Sequence, residues 1–528
     1  MSSLAPENST PASPVKLIFQ NVSLNYVVAG TELLLGLFML PFNVRHLGQS
    51  AYGLWVLVAS ITVYFSLLDM GYGVAQVRFT AKYRAEGNAK GLNEMASTMF
   101  CMFTGIGAVT LLGAIAIAFN LDHVFSLTPS QAASGRIVFL FISAYVALGF
   151  PISVFGGIVN GFQRIYLNGV VAFITAVTVA VVNIIILSMG YGIVELVAAT
   201  TAVRVLSYGA YALNAYRAFP GLHISLRNFR RSRLREMTGF SVFILLIDLA
   251  NKLNYSTDTI VVGAFIGTAA VAVWAVAQRL IDIVQRITDQ LNSVLFPVVV
   301  DSSTNRQVER LRNILIQGTR LSLAMVVPLS TGLSVLAEPT VLVWVGPAFA
   351  GSIPVIVILS VVVSLRVGSA TSAVILKGAG RHRLLAASNT IMAVGNLVLS
   401  ITLVRWWGLV GVALGTLVPM IVTAFAVTVP AACRRVGISP LQIIRRSVWP
   451  VAWPSLIMAV SLIISRTLVP TRWPYLIGQV LLGGTIYLML FLGLAIGRSE
   501  REWYLEKLRE IFNVGVPRKI AKQVEAEL

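Results

Sequence analysis

The sequence predicts an all-α protein that crosses a membrane many times. Of its 528 residues, 57% are hydrophobic and only 12% are charged, and the mean hydropathy is +0.82. These values are typical of a chain that lies mostly in hydrocarbon. Apolar runs of about twenty residues recur along the chain, and each is long enough to cross a bilayer core of about 30 Å as a helix.

The apolar runs give about fourteen candidate spans, separated by short polar connections. They cover residues 22–42, 51–71, 96–119, 136–158, 166–189, 194–214, 239–265, 269–292, 311–336, 353–375, 384–404, 409–432, 448–468 and 474–497. The predicted domains are an N-terminal tail (1–15), an N-terminal lobe (16–220), a basic linker (221–238), a C-terminal lobe (239–435), a helix pair (448–497) and an amphipathic tail (498–528).

The charge surplus has a topological explanation. The chain carries 40 lysines and arginines against 21 acidic residues, a net charge of +19. When the connections are assigned alternately to the two sides, about 29 of the basic residues fall on one side and about five on the other. The positive-inside rule then predicts that both termini lie in the cytoplasm. The basic groups lack interleaved aromatic residues, which favours contact with membrane lipid and argues against nucleic acid.

The cysteines and histidines indicate no metal site and no cofactor. Cys101 and Cys433 lie in separate apolar runs, and the chain has only four histidines. Neither a CxxC pair nor a spacing typical of metal ligands can be assembled from them.

An internal repeat divides the chain into two similar halves. Three pairs of segments match in the same order at offsets of 219, 217 and 216: LGQSAYGLW (47–55) with IGTAAVAVW (266–274), GFQR (161–164) with GAGR (378–381), and GIV (192–194) with GLV (408–410). Spans one to six and seven to twelve are therefore predicted to be two copies of one bundle. Six spans per copy make the repeats parallel, related by an axis along the membrane normal, with a cleft between them that can open to either face.

These motifs carry a family resemblance. LGQSAYGLWVLVASITVYFSLLDMGYG, NGFQRIYLN and MGYGIVE, with the fourteen-span plan, resemble bacterial polysaccharide flippases of the multidrug/oligosaccharidyl-lipid/polysaccharide (MOP) exporter superfamily. The resemblance implies two six-helix lobes in a V around a cleft, with the terminal helix pair outside. It also implies a transporter, not an enzyme, that moves an undecaprenyl-diphosphate-linked oligosaccharide from the cytoplasmic to the outer leaflet, with a polysaccharide polymerase and chain-length machinery as partners.

A stripe of charge runs along the eighth span. Its members recur at helical spacing and lie within an arc of about 80°: Arg279, Asp282, Arg286 and Asp289. A charge at the bilayer centre costs about 2.5 to 3.5 kcal/mol, so this face must be neutralised or must line a watery cavity. The offset of 219 places uncharged residues at the equivalent positions of the first copy: Ser60, Val63, Leu67 and Met70. The fold itself therefore does not need the stripe.

The basic residues inside the membrane are candidates for binding the lipid diphosphate. Arginine suits this ligand because its planar fork donates two parallel hydrogen bonds and keeps its charge. Arg279 lies about 15 Å from the outer end of its helix, near the midplane, and Lys252 has a similar depth in the adjacent span. We expect Arg366, midway along span ten, and Arg286 to complete the site.

Five carboxylates are expected to line the cleft and to couple transport to protons or sodium: Glu32, Asp248, Asp258, Asp282 and Asp289. Glu32 has no basic residue one turn away, and the base nearest to Asp258 is six residues off, so burial would favour proton uptake by both. The alternative is simple charge pairing. Asp248 and Asp282 each precede a base by four residues, which permits neutralisation within one helix.

Two other functions are compatible with the composition. A cation-coupled multidrug exporter would share the architecture but would favour an acidic, aromatic cleft, which the bases of the second half argue against. A membrane polysaccharide polymerase or ligase would need a large outer loop with catalytic residues. The longest outer connections, 120–135 and 337–352, are short and hold no recognisable catalytic set.

Overall fold

The computed structural model describes residues 14–238, 257–305, 307–497 and 501, and these are helical with short connections. The all-α prediction is confirmed. The α-helices that begin and end within the described residues are α1 (Pro14–Val63), α2 (Tyr72–Ala85), α3 (Ala89–Ala118), α4 (Leu121–Val124), α5 (Pro129–Gly161), α6 (Ile165–Ser188), α7 (Ile193–Ala218), α8 (Thr268–Thr304), α9 (Val308–Val335), α10 (Ala337–Trp344), α11 (Ser352–Gly378), α12 (His382–Val422), α13 (Val429–Val436), α14 (Pro440–Ile443), α15 (Trp449–Leu468) and α16 (Trp473–Leu490).

Among the described residues, eleven stretches of helix are long and apolar enough to cross a membrane. Two of them, Tyr26–Asp69 and Arg383–Val436, each contain two of the predicted spans. The described helices thus account for every predicted span except the seventh, because most of 239–265 lies outside the described residues. A glycine with positive φ divides each of the two long helices, Gly48 (φ 77°) in α1 and Gly408 (φ 54°) in α12.

The described backbone repeats its corners as the sequence repeat predicts. Gln163 and Gly380, which are 217 positions apart, have φ angles of 61° and 73°. The amides of the next residues, Arg164 and Arg381, each donate to the carbonyl five residues earlier, at 3.1 and 2.9 Å. The same left-handed turn therefore closes the same helix in both copies, although only the second copy places glycine there.

The chain forms two compact units, Met1–Ala275 and Val276–Leu528. The first unit holds α1 to α7 and residues 257–275, and its core lies between α3, α5 and α7. In the second unit α11 packs against α9 and α12, and the C-terminal helices α15 and α16 pack on α9, where the Tyr487 hydroxyl donates to the Ala324 carbonyl at 3.0 Å. The division thus falls beyond the linker 221–238, because residues 257–275 pack with the first unit.

The two copies of the repeated glycine–tryptophan motif, residues 47–55 and 266–274, touch each other within the first unit. A Cβ on Gly53 would overlap the backbone carbonyl of Thr268 and would lie 3.1 Å from the amide nitrogen of Ala272. Gly53 and Ala272 are 219 positions apart, so equivalent residues of the two copies meet. The hydroxyls of Ser50 and Thr268 share a hydrogen bond of 3.2 Å, and Gln131 donates to Ser50 at 2.5 Å. The absence of a side chain at position 53 permits this close backbone approach.

A cluster of polar side chains fixes the basic linker to the first unit. Arg233 donates to the Glu94 carboxylate at 3.1 Å and to the Tyr83 hydroxyl at 2.9 Å. Tyr83 in turn donates to Glu236 at 3.1 Å, and Lys82 donates to the same carboxylate at 3.2 Å. Charge-assisted hydrogen bonds of this kind are shorter and stronger than neutral ones. One arginine of the predicted basic anchor is thus held by the protein itself.

We expect Gly53→Ala to destabilise the protein by about 1 to 3 kcal/mol, because the added methyl group must push two helix backbones apart. Gly30→Ala is the matched control on the same helix, since nothing lies within 4 Å of a Cβ at that position. The measurement is the thermal unfolding midpoint of the purified protein in detergent. Equal midpoints for the two variants would contradict the close contact.

The Tyr83 phenol is expected to ionise at a higher pH than a free tyrosine. Burial and the acceptor Glu236 raise the pKa of Tyr83 to about 12, against the opposing charge of Arg233. The pKa of Tyr83 in the folded protein lies above the unfolded value of about 10. The protonated phenol therefore stabilises the folded protein fully below pH 10, and this stabilisation disappears as the pH rises to about 12. An ultraviolet titration of the wild type minus that of Tyr83→Phe isolates this phenol, with Tyr191→Phe as an exposed comparison. A Tyr83 phenol that ionises near pH 10 would refute the cluster.

Candidate functional site

A polar face on α8 forms the centre of the candidate site. Gln278, Asp282 and Gln285 follow one another at spacings of four and three residues, so they share one side of the helix. Arg279 and Arg286 border this side. Arg279 and Asp282 are half-buried, whereas Arg286 is exposed. The stripe predicted from the sequence thus includes two glutamines that accompany the charges.

One hydrogen bond joins the polar face of α8 to α11, and a second runs along α8. Arg366 on α11 donates from Nη1 to the Oε1 atom of Gln285 at 2.7 Å. Along α8, the Gln278 amide donates to the Oδ1 atom of Asp282 at 3.1 Å. Gln285 therefore positions the Arg366 guanidinium beside the charged stripe, and Gln278 positions the carboxylate.

The described part of the site has a surplus of positive charge. Asp282 interacts electrostatically with three guanidinium groups, those of Arg279, Arg286 and Arg366. One carboxylate can neutralise only one of them, so the four described side chains carry a net charge of about +2. Arg279 lies eleven residues into α8, about 16 Å along a helix that crosses about 30 Å of hydrocarbon. Charged side chains inside the hydrocarbon are costly unless other groups or water solvate them.

Of the other predicted site residues, two belong to the first unit and three are not described. Asp258 is buried in the first unit, at 8% exposure, next to Thr257, whose hydroxyl hydrogen-bonds to Tyr64 at 2.8 Å. Glu32 is on an exposed part of α1. Asp248 and Lys252 lie outside the described residues, and the Asp289 side chain is not described, so these three assignments stay predictions.

Sequence reasoning missed the two glutamines. Gln278 and Gln285 are uncharged, so a search restricted to charged residues passes over them. Their spacing from Asp282 was a usable signal, because amide side chains at four- and three-residue intervals inside an apolar span share one face. The link between Gln285 and Arg366 joins residues 81 positions apart and could be found only in three dimensions.

The architecture is that of membrane transporters that include a lipid flippase. A lipid II flippase in an inward closed conformation, MurJ, superimposes with a TM-score of 0.70 at 15% identity, covering 88% of this chain and 97% of MurJ. An inward-facing multidrug resistance transporter of the MATE family, in the MOP superfamily, gives a TM-score of 0.62 at 16% identity, covering 76% and 94%. This chain therefore shares the fold of these two transporters.

Sequence comparison defines the family more closely. Residues 18–303 match the model of the polysaccharide biosynthesis protein family, so the chain belongs to that family. The probable flippase AglR of Haloferax volcanii is 22% identical over 74% of this chain and 78% of its own length. The succinoglycan biosynthesis transport protein ExoT of Rhizobium meliloti is 23% identical over 71% and 72%. The chain is therefore a multi-pass membrane protein whose named relatives are flippases and transport proteins.

We expect the contact between Arg366 and Gln285 to have a coupling energy of about 1.5 to 3 kcal/mol, as is usual for hydrogen bonds to charged groups. The test is a double-mutant cycle with Arg366→Met, Gln285→Leu and the double variant, read as stability against denaturant in detergent. Effects of the two substitutions that add to within about 0.5 kcal/mol would show that the contact contributes nothing.

Proposed function

We propose that this protein flips an undecaprenyl-diphosphate-linked oligosaccharide from the cytoplasmic to the outer leaflet by alternating access. The observation that carries the proposal is the set of three guanidinium groups around one carboxylate on apolar helices of the second unit. A lipid diphosphate has about two negative charges, and guanidinium groups bind phosphate oxygens through charge-assisted, often paired hydrogen bonds. Membership of the polysaccharide biosynthesis family supports a glycan on that lipid.

Each arginine has a distinct part in this proposal. Arg279 lies near the midplane and meets the diphosphate halfway across the membrane. The hydrogen bond from Arg366 to Gln285 holds its guanidinium beside the site, which lowers the entropy lost on binding. Arg286 is exposed and closer to the cytoplasmic end, so it makes the first contact with an entering head group. Lys252 is proposed to complete the site from the adjacent span.

The carboxylates are proposed to couple transport to a cation, H⁺ or Na⁺. Asp258 is buried, and Asp282 lies within the arginine set, so the charge state of each depends on its surroundings. Binding a proton or sodium at Asp282 would strengthen the hold on an anion, whereas its release would weaken that hold. Glu32, Asp248 and Asp289 are proposed as further sites for the coupling ion.

The remaining proposals concern location and partners. We place the protein in a bacterial inner membrane with both termini in the cytoplasm, since the basic residues concentrate on the side of both termini. A polysaccharide polymerase and chain-length machinery would then use the glycan in the outer leaflet. Export of cationic drugs fits less well, because the surplus charge of the candidate site would repel them.

Reconstitution tests the proposal directly. Full-length protein in liposomes with a fluorescent undecaprenyl-diphosphate disaccharide is expected to accelerate exchange of the lipid between leaflets. Arg279→Ala should slow the exchange by about 10- to 100-fold, and Arg279→Lys by less, because lysine keeps the charge but loses the fork. Arg472→Ala removes an equal charge from an exposed site outside the spans and is the control. If Arg279→Ala and Arg472→Ala flip the lipid equally fast, the assignment fails.

A second variant separates anion binding from simple charge pairing. Asp282→Asn removes the one described negative charge among three positive charges. If the set binds an anion, the variant should hold the lipid diphosphate at least as tightly as the wild type, measured as the equilibrium Kd in detergent. If the arginines are present only to pair with Asp282, affinity and thermal stability should both fall.

A further inference from the structure

Another arginine, which does not belong to the site described above, lies deep in the membrane in the first unit. Arg204 is eleven residues into α7, or about 16 Å along a helix that crosses about 30 Å of hydrocarbon. In the described part of the chain no carboxylate forms an ion pair with it. An arginine at this depth costs about 2.5 to 3.5 kcal/mol to insert, so its position requires an explanation.

Arg204 is exposed although it lies on the packed face of α7. The packed face of α7 carries four residues that are spaced four, seven and four positions apart: Thr200, Arg204, Tyr211 and Ala215. The two ends of this face are closed, with Thr200 exposed by 6% and Ala215 by 0%. Leu206, exposed by 77%, marks the opposite face. Arg204 is nevertheless exposed, although it lies on the side of α7 that packs against α5 and its guanidinium lies over Tyr145 of α5.

Tyrosines form a platform next to this guanidinium. Arg204 lies over the ring of Tyr145, with its Cζ atom 5.8 Å from the centroid. The rings of Tyr145 and Tyr208 are stacked 5.4 Å apart at an angle of 9°, and the Tyr208 hydroxyl donates to the Tyr145 carbonyl at 2.9 Å. A Cβ on Gly149 would lie 2.8 Å from the Tyr208 hydroxyl, so the glycine leaves room for it. The platform is therefore fixed before any ligand arrives.

The geometry points to a second binding site, formed by Arg204, Tyr145, Tyr208 and Tyr211, for the anionic glycan head group of the lipid-linked substrate. A guanidinium stacked on a ring keeps the N–H groups at its edge available for a phosphate or a carboxylate. Tyrosine rings offer flat apolar faces together with hydroxyls, a combination that suits a sugar ring. The inference rests on the proposed function, because it assigns to the same substrate a contact in the first unit.

Equilibrium binding to the full-length protein in lipid nanodiscs tests the inference. The two probes are fluorescent undecaprenyl-diphosphate N-acetylglucosamine and a fluorescent undecaprenyl-diphosphate disaccharide that ends in glucuronic acid. Arg204→Met keeps the length of the side chain and removes the charge, and Arg204→Lys keeps the charge and removes the fork. Arg217→Met, at the exposed cytoplasmic end of the same helix, is the control.

We expect Arg204→Met to raise the Kd by about tenfold or more, Arg204→Lys to raise it by less, and Arg217→Met to leave it unchanged. A loss for both probes identifies the phosphate as the group bound, and a loss for the glucuronate probe alone identifies the sugar carboxylate. Tyr208→Phe removes the hydroxyl bond that fixes the platform and should weaken both probes about threefold, the equivalent of one modest hydrogen bond.

Three outcomes separate the two proposals. Equal Kd values for Arg204→Met and Arg217→Met, together with a loss for Arg279→Ala, would overturn this site and leave the proposed function standing. An Arg204→Met variant with a lowered thermal midpoint and an unchanged Kd would show that the arginine serves packing alone, which also overturns the site. A wild type that binds neither probe would refute the proposed function and this inference with it.

Discussion

The low polarity of the bilayer core is the constraint on which the rest of this structure depends. Hydrocarbon supplies no hydrogen-bond partners, so each span must satisfy its own backbone as a helix. The same medium makes each buried charge expensive. The described intramembrane arginines accordingly have specific surroundings: Arg366 reaches Gln285, Arg279 lies near Asp282, and Arg204 lies over the Tyr145 ring. These helices contain charged side chains where neighbouring groups offset part of the free energy of placing a charge in hydrocarbon.

The repeat shows which features the fold needs and which it can vary. The two copies of the glycine–tryptophan motif meet where Gly53 allows close approach to Thr268 and Ala272. Small residues at this contact are therefore a packing requirement. The turn at Gln163 recurs at Gly380 with the same hydrogen bonds, so this corner is also part of the shared plan. The charged stripe occurs in one copy alone. The fold does not require these charges, which is the physical basis for the proposal that they bind the substrate.

The large positive charge of the chain has more than one use. Arg233 belongs to a basic cluster that topology alone would assign to the membrane surface, yet Glu94 and Tyr83 hold its guanidinium. Its neighbours Arg231 and Arg235 remain exposed and can face anionic lipid. The linker is thus fixed on one side by internal hydrogen bonds and can contact lipid head groups on the other.

The sequence by itself determined the fold class, most of the span positions, the repeat and the charged stripe. These properties follow from local composition and from helical periodicity, which any apolar segment reveals without knowledge of its neighbours. Tertiary structure decided which distant residues meet: Gln285 with Arg366, Gly53 with Thr268, and Arg204 with Tyr145. It also placed Asp258 in the buried part of the first unit. Such pairings depend on how helices pack and rotate about their axes, and this is set by interlocking side chains far apart in the chain.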